Sequence, residues 1–312
     1  MSMRFEIITI FPAFFAGIFE HGIVRRAQAE GLVTVAVHDL RTFTHDRHRT
    51  VDDRPFGGGE GMVLKPGPLA EALETLGISA RTFPAEEVNA GPSTEEVAKG
   101  ATRSIQHDSK PLETKPAGES LLPARVILLS AQGRPFTQAV ARELAGLERA
   151  GLERVVLICG RYEGVDERIN RLYCDMELSI GDYVLSGGEL AAAVVVDAVM
   201  RLIPGVLGNE ASGEFESFGV ADAEIATDVE GVPRSQHGAG GLLDYPHYTR
   251  PAEFGGLHAP EVLLNGDHQQ IRRWRREQQL RKTLANRPDL LEGAALTEAD
   301  RRMLDSIRKE GR

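Results

Sequence analysis

Three short segments combine glycine with polar side chains directly after apolar runs. Residues 129–134 read LSAQGR, residues 159–164 read CGRYEG and residues 179–189 read SIGDYVLSGGE. Glycine lets a backbone approach a ligand closely, and the free N–H and C=O groups of such turns can hydrogen-bond an adenine or ribose edge. Each segment alone is typical of a tight turn. Because ligands bind where loops leave the carboxyl ends of parallel strands, all three together predict one pocket.

The common nucleotide-binding motifs are absent from the sequence. It contains neither a strand–GxGxxG–helix unit nor a GxxxxGK[ST] motif, which excludes a Rossmann dinucleotide site and a P-loop. The glycine-rich run at 57–61 (GGGEG) does not open a helix after a strand. We therefore interpret it as a flexible wall over a substrate, not as a phosphate cradle.

The elements that position these turns alternate between strand and helix. Short apolar runs predict buried strands, at 5–10, 32–37, 125–130 and 154–159. Helical spacing or helix-start signals predict helices, at 14–20, 24–30, 66–76, 137–147, 166–172 and 190–202. Residues 38–61 lack sustained periodicity and are predicted to form a long ordered loop. Strands separated by helical crossovers predict an α/β fold with a mainly parallel sheet.

Composition divides the chain into domains. Residues 1–204 form the predicted α/β domain, interrupted at 79–123 by a Thr-, Ser-, Pro-, Glu- and Lys-rich stretch that we interpret as a mobile insertion. Residues 205–241 are predicted to be an acidic linker, mobile at about 219–240. Helical apolar spacing returns at 242–312, which predicts a small all-helical C-terminal domain with Trp274 in its core.

Charge is unevenly distributed along the chain. The net charge is −10, which by itself argues against a nucleic-acid partner. Residues 208–244 hold eight acidic residues against one basic residue, whereas residues 271–287 hold seven basic residues against one acidic residue. A local basic face matters more for phosphate binding than the overall sum. Composition alone leaves open whether this face binds RNA or is simply a solvated helix surface.

The sequence also indicates a compartment. It has two cysteines, Cys159 and Cys174, and a lone pair of this kind supports neither a disulfide framework nor a zinc site. No stretch is typical of a signal peptide or long enough to span a bilayer. We therefore expect a cytoplasmic protein that does not bind membranes.

The motifs together carry a resemblance to a known family. The sequence resembles the bacterial tRNA (guanine-N1)-methyltransferases, which belong to the SPOUT class. The resemblance is nearly full length and rests on VDDRPFGGGEGM at 51–62, LSAQGR at 129–134, CGRYEGVDER at 159–168, SIGDYVLSGGEL at 179–190, DAVMRLIPGVLG at 197–208, YTRP at 248–251, IRRWRREQ at 271–278 and RPDLLEG at 287–293.

The resemblance implies a fold, a cofactor and partners. It implies a SPOUT α/β fold with a parallel sheet and a C-terminal trefoil knot, tRNA as substrate, and a homodimer with its active site at the subunit interface. S-adenosylmethionine would bind bent in the knot of the 1–204 domain. By position, the cofactor-binding residues would be Leu129, Ser130, Gly133, Gly160, Tyr162, Glu163, Gly164, Ser179, Ile180, Gly181, Asp182, Tyr183, Val184, Leu185, Gly187 and Gly188.

The implied target is N1 of the guanosine at position 37 of tRNA, 3′ of the anticodon. Guanine N1 carries a proton at neutral pH, so a general base must remove it while charge develops on O6. The resemblance assigns the base to Glu216 and the O6 contact to Arg201. Glu216 stands where the family has aspartate, and its extra methylene moves the proton acceptor by about 1 Å.

The resemblance also implies contacts with the substrate. Arg161, Asp52, Arg54, Gly57, Gly58 and Gly59 would contact the target base and its surroundings, and Arg272, Arg273 and Arg276 of the helical domain would contact phosphates. Ala191, where the family often has proline, puts only the rim of the cofactor pocket in doubt. The family is also associated with Mg²⁺; the sequence shows no closed carboxylate cage, so Mg²⁺ stays open as a second cofactor and we assign no metal ligands.

Two other functions stay open at this point. The first is a SPOUT methyltransferase acting on a ribose or on ribosomal RNA, which would not need a base such as Glu216. The second is an RNA-binding protein that keeps the cofactor pocket without turnover.

Overall fold

The computed structural model describes residues 2–82, 123–147, 151–208, 216–219 and 240–310. The chain divides into two compact units, Met1–Val206 and Leu207–Arg312. Most of the two stretches predicted to be mobile, at 79–123 and 219–240, lies outside the described residues.

The first unit is built on a parallel sheet. Its strands and helices are β1 (Met3–Thr9), α1 (Gly22–Ala29), β2 (Val33–Asp39), β3 (Asp52–Asp53), β4 (Val63–Leu64), α2 (Pro66–Thr75), β5 (Ala124–Pro135), α3 (Gln138–Ala145), β6 (Arg154–Cys159), α4 (Glu167–Tyr173), β7 (Met176–Ser179) and α5 (Glu189–Met200). Five strands pair in the order β2-β1-β6-β5-β7, and all of these pairings are parallel. The predicted α/β fold with a parallel sheet is confirmed.

Helices cover both faces of this sheet because successive strand residues point to opposite sides. On one face, Val155 and Leu157 of β6 pack with apolar residues of α1, α3 and α5. On the other face, Val156 and Ile158 pack with apolar residues of α2 and α4. The strands are therefore buried on both sides, and their carboxyl ends meet at one edge.

The structure differs from the sequence-based prediction at three places. The helix predicted at 14–20 is a 3-10 helix, Pro12–Phe15, ended by Gly17 with a φ of 85°. The loop predicted at 38–61 contains a 3-10 helix, Leu40–Phe43, and β3, which pairs antiparallel with β4. Strand β7 was not predicted, because four residues between a helix and a glycine turn carry too little periodicity.

Within its described residues, the second unit has three α-helices, α6 (His268–Asn286), α7 (Leu290–Gly293) and α8 (Glu298–Glu310). Leu242, Leu280, Leu304 and Ile307 form its buried core. The prediction of an all-helical domain is wrong in one respect: a hairpin of β8 (Glu253–Phe254) and β9 (Leu257–His258) precedes the helices. Two glycines with positive φ form its turn, the backbone that two-residue hairpins require.

Candidate active site

A cavity of about 330 Å³ lies at the carboxyl edge of the sheet in the first unit. The three glycine-containing turns predicted from the sequence all line it. Of the sixteen residues expected to bind the cofactor, fourteen line the cavity: Leu129, Ser130, Gly160, Tyr162, Glu163, Gly164, Ser179, Ile180, Gly181, Tyr183, Val184, Leu185, Gly187 and Gly188. Gly133 and Asp182 are not among the lining residues.

Gly133 instead lies where two backbones touch. A Cβ on Gly133 would be 2.4 Å from the backbone nitrogen of Leu178, closer than any real side chain allows. Leu178 of β7 is paired with both Leu129 and Arg134 of β5, with a register shift between them. Similarly, a Cβ on Gly188 would lie 2.7 Å from Cα of Cys159. The backbone therefore passes itself at contact distance at two points beside the cavity.

The glycine-rich loop between β3 and β4 contacts Glu163, and Glu163 lines the cavity. A Cβ on Gly61 would meet the Glu163 carboxylate at 2.4 Å, and the backbone N–H of Glu163 donates to the carbonyl of Met62 at 3.0 Å. The residues predicted to contact substrate in this region, Asp52, Arg54, Gly57, Gly58 and Gly59, belong to the same hairpin. The structure thus brings the predicted wall next to a cavity-lining carboxylate.

Arg161, which lines the cavity, forms an ion pair with the buried carboxylate of Glu189. Arg161 Nη2 lies 2.8 Å from Glu189 Oε2, and the Glu189 side chain is 1% exposed. Burial raises the pKa of the Cys159 thiol well above its ordinary value, and the negative charge of Glu189 raises this pKa further. Glu189 was not predicted to be functional from the sequence, since its partners lie far away along the chain.

Two further carboxylates line the cavity and were also missed from the sequence. These are Glu167, at the start of α4, and Glu177, on the unpredicted strand β7. Burial raises the pKa of Glu167, and the charge of Glu177 raises this pKa further. Asn170 donates from Nδ2 to Glu177 Oε2 at 3.3 Å. The cavity wall is therefore acidic at this end.

The two residues predicted to be catalytic belong to different units. Arg201 is the C-cap of α5 in the first unit, and its N–H donates to the carbonyl of Asp197. Glu216 belongs to the second unit, in a short segment fastened to residues 240–244. There Phe218 N–H donates to Leu242 O at 2.9 Å, and Asp244 N–H donates to Ser217 Oγ at 2.9 Å.

The basic helix α6 divides into two halves. In its C-terminal half, Arg281 is paired within the unit, with Glu277 at 2.7 Å and Glu310 at 2.6 Å. Arg273 and Arg275, nearer the N-terminus, are exposed, and Arg275 lies over the ring of Tyr245 at 4.9 Å. Arg273 and Arg275 therefore present exposed guanidinium groups near the start of the helix.

Arg276 was predicted to contact RNA, but its side chain is engaged within the second unit. Its Nε and Nη2 donate to the two carboxylate oxygens of Asp300 at 2.8 and 3.0 Å, and its Nη1 donates to Gln279 Oε1 at 3.1 Å. The side chain is 13% exposed. We therefore assign Arg276 to the interior of the second unit, leaving Arg272 and Arg273 of the predicted set.

Trp274 is not part of the core of the second unit, contrary to the prediction. It is half-buried, and its ring centroid lies 6.2 Å from that of Tyr248, which is 51% exposed. Trp274 therefore lies near the surface, beside Tyr248 of the segment that precedes α6.

Both cysteines are buried and free. Among the described residues, no three His, Cys, Asp or Glu side chains are grouped so as to hold a metal ion. None of the helices in the described ranges has the length and apolar character needed to cross a membrane.

Comparison with known proteins identifies the family to which this architecture belongs. The family model described as tRNA (Guanine-1)-methyltransferase TrmD matches residues 3–99 and 99–293. The chain belongs to this family. A family member from Koribacter versatilis, named tRNA (guanine-N(1)-)-methyltransferase, is 51% identical over 306 residues and 98% of each chain.

Two other proteins with the same name are also similar to this chain over nearly their whole length. The protein from Dehalococcoides mccartyi (strain 195) is 43% identical over 308 residues, covering 99% of this chain and 98% of its own length. The protein from Geobacter sulfurreducens is 43% identical over 309 residues, covering 99% of both chains. The family resemblance inferred from the sequence motifs is confirmed.

Proposed function

We propose that this chain transfers the methyl group of S-adenosylmethionine to N1 of the guanosine at position 37 of tRNA. The observation that carries the proposal is the family match over nearly the whole chain, together with one cavity formed by the three expected turns. Its volume of about 330 Å³ falls within the usual range of small-molecule sites.

S-adenosylmethionine is the proposed occupant of that cavity. The turns offer backbone donors and acceptors for its adenine and ribose, and the exposed rings of Tyr162 and Tyr183, 54% and 55% exposed, offer apolar surface. The acidic wall at Glu167 and Glu177 suits a ligand that carries positive charge. When bound, the cofactor supplies an electrophilic methyl group.

The proposed fold includes the trefoil knot of the SPOUT class. Support comes from the backbone contact of Gly133 with Leu178 and of Gly188 with Cys159. Two such contacts beside one cavity require chain segments to pass one another with no side chain between them. Knots are rare among folds, so family membership is needed to interpret these crossings.

The proposed chemistry needs two groups. Guanine N1 must lose its proton as the methyl group arrives, and we assign this general-base step to the carboxylate of Glu216. Negative charge that develops on O6 would be stabilised by the guanidinium of Arg201.

The second unit is proposed to bind tRNA through the first half of α6. Arg272, Arg273 and Arg275 lie within four consecutive positions there, and Arg273 and Arg275 are exposed. Contacts of this kind add affinity and salt dependence but little sequence discrimination. The target base would then be selected in the pocket, after it leaves its stack.

The proposed assembly is a homodimer with the active site at the subunit interface. Phe11, Phe14 and Ile18 are 43%, 36% and 40% exposed, and Leu190 and Val194, one turn apart on α5, are 50% and 45% exposed. Helix α5 contacts the 3-10 helix that carries Phe14. Clustered exposed apolar residues mark interaction sites, and a second copy of this chain is the proposed partner.

Reduced, buried cysteines and a tRNA substrate support a cytoplasmic location.

The deciding experiment is mass-spectrometric mapping of an unmodified tRNA transcript after incubation with the protein and S-adenosylmethionine. The proposal predicts a single new methyl group on N1 of guanosine 37. A methyl group on a ribose, or on ribosomal RNA only, would assign the chain to a different SPOUT activity. Binding of both ligands without turnover would make it an RNA-binding protein.

A further inference from the structure

The guanidinium of Arg161 is held from three sides. Its Nε donates to Glu189 Oε1 at 3.2 Å, and its Nη1 donates to the carbonyl of Ser186 at 2.9 Å. Its Cζ lies 4.5 Å from the centroid of the Phe11 ring, a cation–π distance. Only 16% of the side chain is exposed. The group is therefore fixed by its own protein before any substrate arrives.

Glu189 is the buried partner in this arrangement. It is the first residue of α5, where the helix dipole favours negative charge, and Thr9 Oγ1 donates to its Oε1 at 2.7 Å. The same threonine oxygen accepts the N–H of Phe11 at 2.9 Å. A buried carboxylate is costly unless it is paired and hydrogen-bonded, and Arg161 supplies the compensating charge.

The Arg161 side chain fills the space between two loops of the cavity. A Cβ on Gly187 would lie 2.1 Å from Arg161 Nε, and Arg161 and Gly187 form an isolated antiparallel bridge. The N–H of Gly188 donates to the carbonyl of Gly160 at 2.9 Å. Backbone contacts and this side chain therefore together join the loops at 160–164 and 186–188, which both line the cavity.

We infer that Glu189 is a positioning residue, which acts through Arg161 to hold these two loops at the separation that S-adenosylmethionine needs. Arg161 then serves the cofactor end of the site. The sequence had instead indicated a contact between Arg161 and the guanine. Three of its five N–H donors and one face of its plane are already engaged. This inference rests on the proposed function, since it takes S-adenosylmethionine as the occupant of the cavity.

The test is calorimetric titration of the full-length protein with S-adenosylmethionine, with Glu189→Gln, Arg161→Gln and the double variant compared with the native chain. Each single change should weaken binding about tenfold, within the range of coupling between contacting residues. The double variant should also bind about tenfold more weakly, not a hundredfold, because either change removes the same link. KM for tRNA at saturating cofactor should stay within about twofold.

Glu30→Gln is the matched control. It removes a carboxylate from the same unit, but its partner Arg26 is 3.8 Å away and both side chains are about half exposed. Such surface pairs contribute little, so cofactor affinity should be unchanged. Should Glu189→Gln fail to fold, Arg161→Lys takes its place, since it keeps the charge but loses the fork that reaches Ser186. Affinity between those of the native and Arg161→Gln proteins then supports the inference.

Several outcomes are decisive against it. Native cofactor affinity in Glu189→Gln or Arg161→Lys, or losses that multiply in the double variant, would overturn the positioning role. An Arg161→Gln protein with raised KM for tRNA and native cofactor affinity would place Arg161 on the RNA. Failure of the native protein to bind S-adenosylmethionine would instead refute the proposed function.

Discussion

Arg273 and Arg276 are three positions apart on α6, yet removing their charges should have opposite consequences. Arg276 is bonded to Asp300 through two hydrogen bonds of 2.8 and 3.0 Å, and the two side chains are 13% and 7% exposed. Arg273 is exposed and has no ion pair within the described residues. Arg276→Ala should therefore damage stability, and Arg273→Ala should damage RNA binding.

The expected magnitudes follow from burial. Removing one partner of a buried pair costs about 3 kcal/mol or more, because Asp300 would keep its charge without the partner that compensates it. An exposed substitution such as Arg273→Ala changes the free energy of unfolding by less than about 0.5 kcal/mol. If Arg273 contacts a phosphate, its loss lowers the slope of log K against log salt by about one.

Both quantities are measurable on the same proteins. The chain has one tryptophan, Trp274 on α6, so its fluorescence during urea denaturation reports unfolding of the second unit. Binding of tRNA measured between 50 and 200 mM KCl gives the salt slope. Asp300→Asn serves as the control and should lose stability like Arg276→Ala. The reasoning is refuted if Arg276→Ala flattens the salt dependence while its urea midpoint stays native.

Four further predictions concern stability, packing and methyl transfer. Burial opposes ionisation of Asp300, but the hydrogen bonds and charge of Arg276 hold its pKa below the ordinary value. The stabilising contribution of Asp300 should therefore be complete above about pH 4 and disappear as the pH falls through the lowered pKa. The difference in urea midpoint between the native and Asp300→Asn proteins should shrink in acid, and a difference that grows would contradict this. Gly133→Ala should lower the thermal midpoint strongly, because its Cβ would meet backbone at 2.4 Å, whereas Gly146→Ala, with nothing within 4 Å, should change it little. Glu216→Gln should lower methyl transfer by about a hundredfold or more, and unchanged transfer would argue for a structural role of Glu216. Arg201→Ala should lower methyl transfer far more than cofactor affinity, and equal losses in both would argue for a structural role of Arg201.

The sequence predicted the cavity well because its signal is local. The turns at 129–134 and 159–164 combine glycine with a preceding apolar strand, and β6 has the bounds that its apolar run indicates, Arg154–Cys159. Parallel strands then bring the turns together without further information. Strand β7 escaped prediction because four residues do not establish a period.

Residues whose roles depend on distant partners could not be predicted in the same way. Glu189 follows two glycines and reads as an ordinary helix start, but its hydrogen-bond partner Thr9 is 180 positions away. Arg276 resembles its basic neighbours on α6 until Asp300, 24 positions later, is known to face it. Helical spacing shows which residues share a face, but it does not show what packs against that face.

The burial of both cysteines makes the native chain suitable for site-specific labelling. The thiolate is the reactive form, and burial raises the pKa of Cys174 to about 12 and that of Cys159 well above its ordinary value. A maleimide should therefore modify neither thiol in the folded protein. A single cysteine introduced at an exposed position such as Lys282 would take up a fluorophore selectively, with both natural thiols left in place.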